Sequence, residues 1–187
     1  LSFVMPKDRL IIMAEGIFFS LLNYCLEVFG NVWGLETYDE TDRQSPASRK
    51  DDNLKLQVLV NKVLRSITGL DNETPVSVLC SRSGQLSVYQ RTAVFTLSAV
   101  HKALKNQEPS YSHSLLCPVQ DPGQPDRIQT NCKRVESKLS ISRASFYYRG
   151  SRLYNQLPAS MTNITKVDVF KKSIKQWVKD NIPLLPP

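Results

Sequence analysis

The sequence predicts a mainly α protein: a helical bundle, followed by a basic, loop-rich tail with a short extended segment and a C-terminal amphipathic helix. Apolar residues recur at three- and four-residue intervals in several segments, which is the spacing of one helix face. Glycines and prolines separate these segments. With 187 residues, 41% of them hydrophobic, the chain is long enough to bury a core. We expect three regions: residues 1–117, a linker with three prolines at 118–126, and the tail at 127–187.

The amino-terminal segment, residues 6–30, is predicted to form two helices separated at Gly16. Pro6 and Asp8 suit the start of the first helix. Two glutamates and an asparagine interrupt the apolar run, so it matches neither a signal peptide nor a membrane-spanning helix. The apolar residues at helical spacing are Leu10, Ile11, Ala14, Phe18, Leu21, Leu22 and Cys25.

Residues 37–53 (TYDETDRQSPASRKDDN) are predicted to form an exposed loop, because charges of both signs mix there without an apolar period. A helix should follow, capped by Asp52 or Asn53 and ended by Gly69. Its buried face is predicted to consist of Leu56, Leu59, Val60, Val63, Leu64 and Ile67.

A short helix is predicted at residues 76–80, ended at Gly84, and a longer helix is predicted to start at Ser87. Ser87 and Gln90 have the spacing of a capping box, in which two side chains satisfy each other's backbone amides. We expect this longer helix to end before Pro109. Its buried face is predicted to consist of Ala93, Val94, Leu97, Val100, Ala103 and Leu104.

We predict that the tail contains one extended segment and one helix. Residues 139–148 alternate loosely between apolar and polar side chains, which favours an extended conformation. The last helix is predicted at residues 166–181 and is followed by Pro183, which cannot continue it. One side of this helix is apolar: Val167, Phe170, Ile174, Trp177 and Val178. The remainder carries lysines: Lys171, Lys172, Lys175 and Lys179.

Charge is distributed unevenly along the chain. Residues 1–126 hold 12 basic and 14 acidic side chains, whereas residues 127–187 hold 12 basic and 3 acidic ones. The net charge of +7 therefore comes from the tail. A tail of this kind suits a polyanion such as nucleic acid, and the competing interpretation is an ordinary solvated basic surface.

The four cysteines and two histidines predict neither a zinc site nor a disulfide framework. No two cysteines form a CxxC pair, and His113 with Cys117 is the only pair at a ligand-like offset. The cysteine spacings are long, and a chain of this size can fold without disulfides. We therefore expect an intracellular protein, cytoplasmic or nuclear, with no cofactor.

Several short motifs follow one another along the chain. They are residues 22–30 (LNYCLEVFG), 56–69 (LQVLVNKVLRSITG), 86–90 (LSVYQ), 145–150 (SFYYRG), 154–158 (YNQLP) and 170–172 (FKK). In this order they resemble the carboxy-terminal part of a non-LTR (LINE-type, jockey-like) retrotransposon reverse transcriptase. Where that family usually has tryptophan, this chain has Tyr154.

The resemblance implies a helical thumb and a basic tail that follow the palm of an RNA-directed DNA polymerase. The aspartates that hold the two catalytic metal ions in that family would lie before Leu1. Asp51-Asp52 is the only Asp-Asp pair here, and its polar surroundings favour a helix cap over a metal site. We therefore expect a chain that is not an enzyme by itself and whose partners are RNA, DNA and the palm of the same parent chain, with no membrane. The alternative is a decayed or host-retained remnant that acts as a protein interaction module.

The candidate nucleic-acid-binding residues lie in the tail. They are Lys133, Arg134, Arg143, Tyr148, Arg149, Arg152, Lys171, Lys172 and Lys175. Guanidinium and ammonium groups pair with phosphates, and aromatic rings stack on unpaired bases. The competing interpretation is that Phe146 and Tyr148 belong to a protein core and that the arginines cover it.

Overall fold

The computed structural model describes residues 5–29, 47–106, 109–117, 132, 146–182 and 184. These residues are mainly helical and include no strand, which confirms the predicted fold class. A π-helical turn, Ala14–Phe19, joins the first two helices. The helices are α1 (Lys7–Met13), α2 (Ser20–Phe29), α3 (Ala47–Thr68), α4 (Val76–Ser83), α5 (Val88–Asn106), α6 (Ser110–Leu116), α7 (Phe146–Tyr154), α8 (Ala159–Thr162) and α9 (Val167–Asn181).

The first two helices and the π-helical turn form one continuous helix, called the first helix below. Gly16 lies inside the π-helical turn, so the prediction that Gly16 separates two helices was wrong. The backbone N–H of Ser20 donates to the carbonyl of Glu15, five residues earlier, so hydrogen bonding continues through the turn. A single glycine costs a helix only about 1 kcal/mol, which packing readily offsets.

The third helix begins earlier than predicted. It starts at Ala47, so residues 47–53, predicted as the end of a loop, are helical, and neither Asp52 nor Asn53 is its cap. Pro46 directly precedes this start in the sequence, and the alanine, arginine and lysine that follow are strong helix formers. The helix ends as predicted, since Gly69 adopts a φ of 69°, a conformation that glycine reaches without strain.

Two hydrophobic clusters form the core, and α5 contributes to both. The amino-terminal cluster contains Phe19, Leu22, Val60, Leu64, Leu79, Cys80 and Val88. The carboxy-terminal cluster contains Leu86, Ala93, Val94, Leu97, Val100, Ala103, Leu116, Cys132, Leu153, Tyr154, Leu157, Phe170, Ile174 and Val178. Helices on both sides of residues 118–126 therefore share α5 as their common packing partner.

The start of α5 carries the predicted capping box. The backbone N–H of Gln90 donates to Ser87 Oγ at 3.2 Å, and the N–H of Ser87 donates to Gln90 Oε1 at 3.4 Å. A third amide at this end, that of Val88, donates to Gln57 Oε1 at 2.9 Å. Gln57 also donates to Asn61, which explains why two polar residues lie on the buried side of α3.

The seventh helix packs against α5 at a glycine. A Cβ atom on Gly150 would lie 2.7 Å from Val100 Cγ2, so the two helices approach more closely there than a side chain permits. Phe146 and Tyr148, predicted to be extended, are helical, and that part of the prediction was wrong. A short run of alternating apolar residues does not by itself distinguish a strand from a helix.

The last helix has the predicted extent, Val167–Asn181, and lies antiparallel to α5. His101 stacks on Phe170, whereas Gln90, near the other end of α5, donates to the carbonyl of Ile182 at 3.0 Å. The predicted linker at 118–126, residues 37–46 of the predicted loop and residues 139–145 of the predicted extended segment lie outside the described residues.

Candidate nucleic-acid interface

The outer side of α9 carries a row of lysines. Phe170, Ile174 and Val178 are fully buried and fix the orientation of the helix against α5. The opposite side presents four exposed side chains, called the α9 lysine face: Lys171, Lys172, Lys175 and Lys179. Three of them recur every four residues, which places them about 6 Å apart along one side of the helix.

Acidic residues lie near both ends of this face. Asp168 is in the first turn of α9, where its carboxylate interacts favourably with the positive end of the helix dipole. Asp180, in the last turn, accepts hydrogen bonds from Gln176 at 3.1 and 3.2 Å. Lys179 donates to the carbonyl of Gly84 at 3.4 Å, which ties one end of the face to α4. Lys171 and Lys172 follow Asp168 by three and four residues, so Lys175, in the middle of the face, is the lysine with least local compensation by a carboxylate.

The candidate aromatic residue of α7 is not presented to solvent. Tyr148 is 7% exposed, and the guanidinium carbon of Arg152 lies 4.6 Å from the centre of its ring. Arg149 is also buried, at 8% exposure. Tyr148 thus belongs to the core, as the competing interpretation of the sequence held, and its ring is not open to a nucleic-acid base in this conformation.

Six of the nine candidates are described, and they lie on two helices. Lys171, Lys172 and Lys175 share the α9 lysine face, whereas the arginines lie on α7, a different helix packed against α5. The remaining candidates, Lys133, Arg134 and Arg143, lie outside the described residues.

The chain just before two of those candidates is held against α7. Asn155 accepts a hydrogen bond from the backbone N–H of Cys132 and donates one to its carbonyl, both at 2.9 Å. The thiol of Cys132 donates to the carbonyl of Leu116 at 3.2 Å, and burial raises its pKa to about 12. Cys132 is therefore an anchoring point of the core, and its thiol stays protonated.

A buried ring cluster beneath α9 was not apparent from the sequence. His101 stacks on Phe170 with ring centres 3.8 Å apart, and its Nδ1 lies 2.9 Å from the hydroxyl of Tyr154. These three residues are far apart in the chain, and nothing in their local sequences links them. All three side chains are almost fully buried, so the cluster positions α9 and is not open to a substrate.

Because His101 is buried, we expect stability to fall at mildly acidic pH. Burial lowers the pKa of His101 from 6.5 to about 4, and the charge of Lys105 acts in the same direction. The unfolded chain takes up this proton below about pH 6.5, whereas the folded chain does so only near pH 4. The contribution of neutral His101 to the free energy of unfolding is therefore complete above pH 6.5. It is lost as the pH falls towards 4.

The check is urea unfolding of the wild type and of His101→Phe at pH 7.5 and pH 5. The Phe variant keeps an aromatic ring on Phe170 and removes the titrating group. We expect the free energy of unfolding to fall by about 2 kcal/mol more in the wild type than in the variant. An equal fall in both proteins would show that His101 does not cause the loss of stability at pH 5.

A buried arginine joins the first helix to α5, and it too was missed in the sequence. Arg91 donates to Asn23 Oδ1 at 3.1 Å, to the carbonyl of Leu86 at 3.2 Å and to Gln85. Its guanidinium carbon lies 4.2 Å from the centre of the Phe19 ring. Burial lowers its pKa to about 10, so the group remains charged at neutral pH and acts as a structural tie.

Comparison with known proteins gives no assignment. No family model matches the chain, and neither a curated protein nor a solved structure is significantly similar to it. In the described part of the chain, no three histidine, cysteine, aspartate or glutamate side chains are grouped as metal ligands would be. No described helix has both the length and the apolar character needed to cross a bilayer.

Proposed function

We propose that this chain binds RNA or single-stranded DNA through the α9 lysine face, as the non-catalytic carboxy-terminal part of an RNA-directed DNA polymerase of a mobile element. The observation that carries the proposal is the row of exposed lysines on a helix whose other side is firmly packed. The motif order described above supports the polymerase context. In that context the partners are the element RNA, the nascent DNA and the palm of the parent chain.

Electrostatics favour a nucleic-acid backbone as the ligand of this face. Lysine is a compact point charge that pairs with phosphates without reading base identity. Tyr148, the aromatic candidate on α7, is buried, so its ring contributes no base stacking in this conformation. We therefore expect binding with little sequence preference and a strong dependence on salt.

The direct experiment measures the affinity of the purified chain for a labelled RNA of about 20 nucleotides at several salt concentrations. For single strands, the logarithm of the association constant falls with the logarithm of salt by about 0.7 for each phosphate contact. Replacing Lys171 and Lys175 by glutamine should weaken binding and reduce that slope by about 1.4.

The matched control removes the same charge from α3. Lys55→Gln/Lys62→Gln changes two exposed lysines away from α9, and we expect its affinity and salt slope to stay close to those of the wild type. Absence of RNA binding by the wild type at low salt would rule out the proposed function. Equal losses in both double variants would place the binding elsewhere.

A second candidate function is a protein interaction module, retained from such an element after its polymerase was lost. The observation that favours it is the run of exposed apolar side chains on the first helix, including Ile12, Ile17 and Leu21. Affinity capture with the purified chain separates the two candidates. Recovery of protein without nucleic acid supports this second function, and recovery of nucleic acid alone rejects it.

A further inference from the structure

Two cysteines that are far apart in the sequence lie close together in the fold. Cys117 directly follows the last residue of α6 and is partly exposed, whereas Cys132 is fully buried in the carboxy-terminal cluster. Both are present as thiols. The thiol of Cys132 donates to the carbonyl of Leu116, the residue directly before Cys117, at 3.2 Å. The fold therefore brings together a pair of thiols that the spacing of the cysteines did not predict.

Each of the two cysteines is held in place by a different part of the fold. The backbone N–H of Cys117 donates to the carbonyl of His113 at 2.8 Å, and Leu116 is fully buried, so the end of α6 is fixed. Asn155, directly after α7, fixes Cys132 through two backbone hydrogen bonds, both at 2.9 Å. The packed helices thus set the separation of the two cysteines.

Covalent geometry limits the distance between these residues. A carbonyl oxygen lies about 2.8 Å from the Cα atom of the next residue, so at most roughly 6 Å separate Cys132 Sγ from the Cα atom of Cys117. In a disulfide the same two atoms are about 4 Å apart. A movement of about 2 Å or less at the end of α6 therefore brings the two residues to the separation of a disulfide.

The two thiols differ in their environments. Burial raises the pKa of Cys132 to about 12, and the thiol of Cys117 acts in the same direction, so the two groups are near enough to interact electrostatically. Cys132 is protected from direct oxidation, because the thiolate is the form that reacts. Cys117, partly exposed at the end of its helix, gives an oxidant access to one member of the pair.

We propose that Cys117 and Cys132 form a redox-responsive pair, which is a dithiol in a reducing compartment and closes to a disulfide when the chain meets a small disulfide oxidant such as oxidised glutathione. The thiolate of Cys117 attacks one sulfur of the oxidant and releases one glutathione thiolate. Cys132 then loses its proton to solvent, attacks the Cys117 sulfur of the mixed disulfide and releases the second glutathione. Two protein thiols are oxidised, and one disulfide is reduced to two thiols.

The disulfide joins the end of α6 to the point at which Asn155 holds the chain beside α7. It closes a ring of residues 117–132, which restricts the unfolded chain more than the folded one. We expect the urea midpoint of the oxidised chain to lie about 1 M above that of the reduced chain. Neither cysteine belongs to the α9 lysine face, so this inference does not depend on the proposed nucleic-acid binding.

The test equilibrates the complete chain with mixtures of reduced and oxidised glutathione, once in buffer and once in concentrated urea. After alkylation, trypsin places the two cysteines in separate peptides, residues 106–127 and 128–133, so that a linked pair of peptides reports the bond. Because the fold holds the thiols together, we expect the equilibrium constant for closing this disulfide to be at least about tenfold larger in the folded chain than in urea. A constant that is no larger in the folded chain would overturn the proposal.

Three variants separate this pair from the other cysteines. Cys132→Ser keeps a donor for the carbonyl of Leu116, and neither it nor Cys117→Ser can form the bond, so oxidation should leave their urea midpoints unchanged. Cys80→Ser, the matched control, keeps both members of the pair and should respond like the wild type. Circular dichroism establishes that each variant is folded. Linkage of the two peptides to those of Cys25 or Cys80 instead of to each other would overturn the proposal, and so would an equal midpoint shift in Cys117→Ser.

Discussion

Replacing Phe170 by alanine is expected to lower the free energy of unfolding by about 3–5 kcal/mol, the range for a buried phenylalanine. Phe170 is fully buried, lies in the carboxy-terminal cluster and stacks on His101. Its loss leaves a cavity between α5 and α9 and removes the contact that sets the position of the α9 lysine face. A change of this size is a large share of the total stability of a domain this small.

The adjacent residue provides the control for this prediction. Val169 is 47% exposed on the same helix turn, so Val169→Ala should change the free energy of unfolding by no more than about 0.5 kcal/mol. Both variants are compared by urea unfolding followed by circular dichroism at 222 nm. Similar losses in the two variants would contradict the packing of α9 described above.

The second large effect is expected at Gly150, where α7 crosses α5. Alanine there places its Cβ atom 2.7 Å from Val100 Cγ2, well inside the usual carbon–carbon contact distance of about 3.5–4.0 Å. Overpacking of this kind costs about 1–3 kcal/mol, against which the better helix propensity of alanine restores up to about 1 kcal/mol. We expect Gly150→Ala to be less stable than the wild type by about 1–2 kcal/mol.

Gly16 is the matched control for Gly150. It is also helical, but a Cβ atom there meets nothing within 4 Å, so Gly16→Ala should stabilise the protein by about 0.5–1 kcal/mol. Unfolding of the two glycine variants and the wild type is measured with urea under the same conditions. Val100→Ala in the Gly150→Ala background should recover part of the loss, since it removes the clashing methyl group. Equal effects at the two glycines would argue against the close crossing of α7 and α5.

Helices with long apolar periods were predictable from the sequence. The extents of α5 and α9 and the capping box at Ser87 follow from local rules, because each depends on residues within one or two helical turns. The start of α3 was missed because a polar helix amino terminus has no apolar period to reveal it. The helical conformation of residues 146–148 was missed because their alternation fits two secondary structures.

The packing between distant segments could not be predicted from the sequence. The contact of His101 with Tyr154 joins residues 53 positions apart, and the side chain of Asn155 reaches a backbone 23 positions away. Neither pairing has a local signature. For the candidate site, the periodicity of α9 correctly placed its lysines on the outer side, whereas the burial of Tyr148 became apparent only from the packing of α7.

The most direct test of the central claim is lysine acetylation of the free and the RNA-bound chain, measured by mass spectrometry. If the α9 lysine face contacts the phosphate backbone, RNA will protect Lys171, Lys172 and Lys175 from the reagent, while Lys55 and Lys62 on α3 will react equally in both states. Protection of the α3 lysines with unchanged reactivity on α9 would contradict the proposed interface.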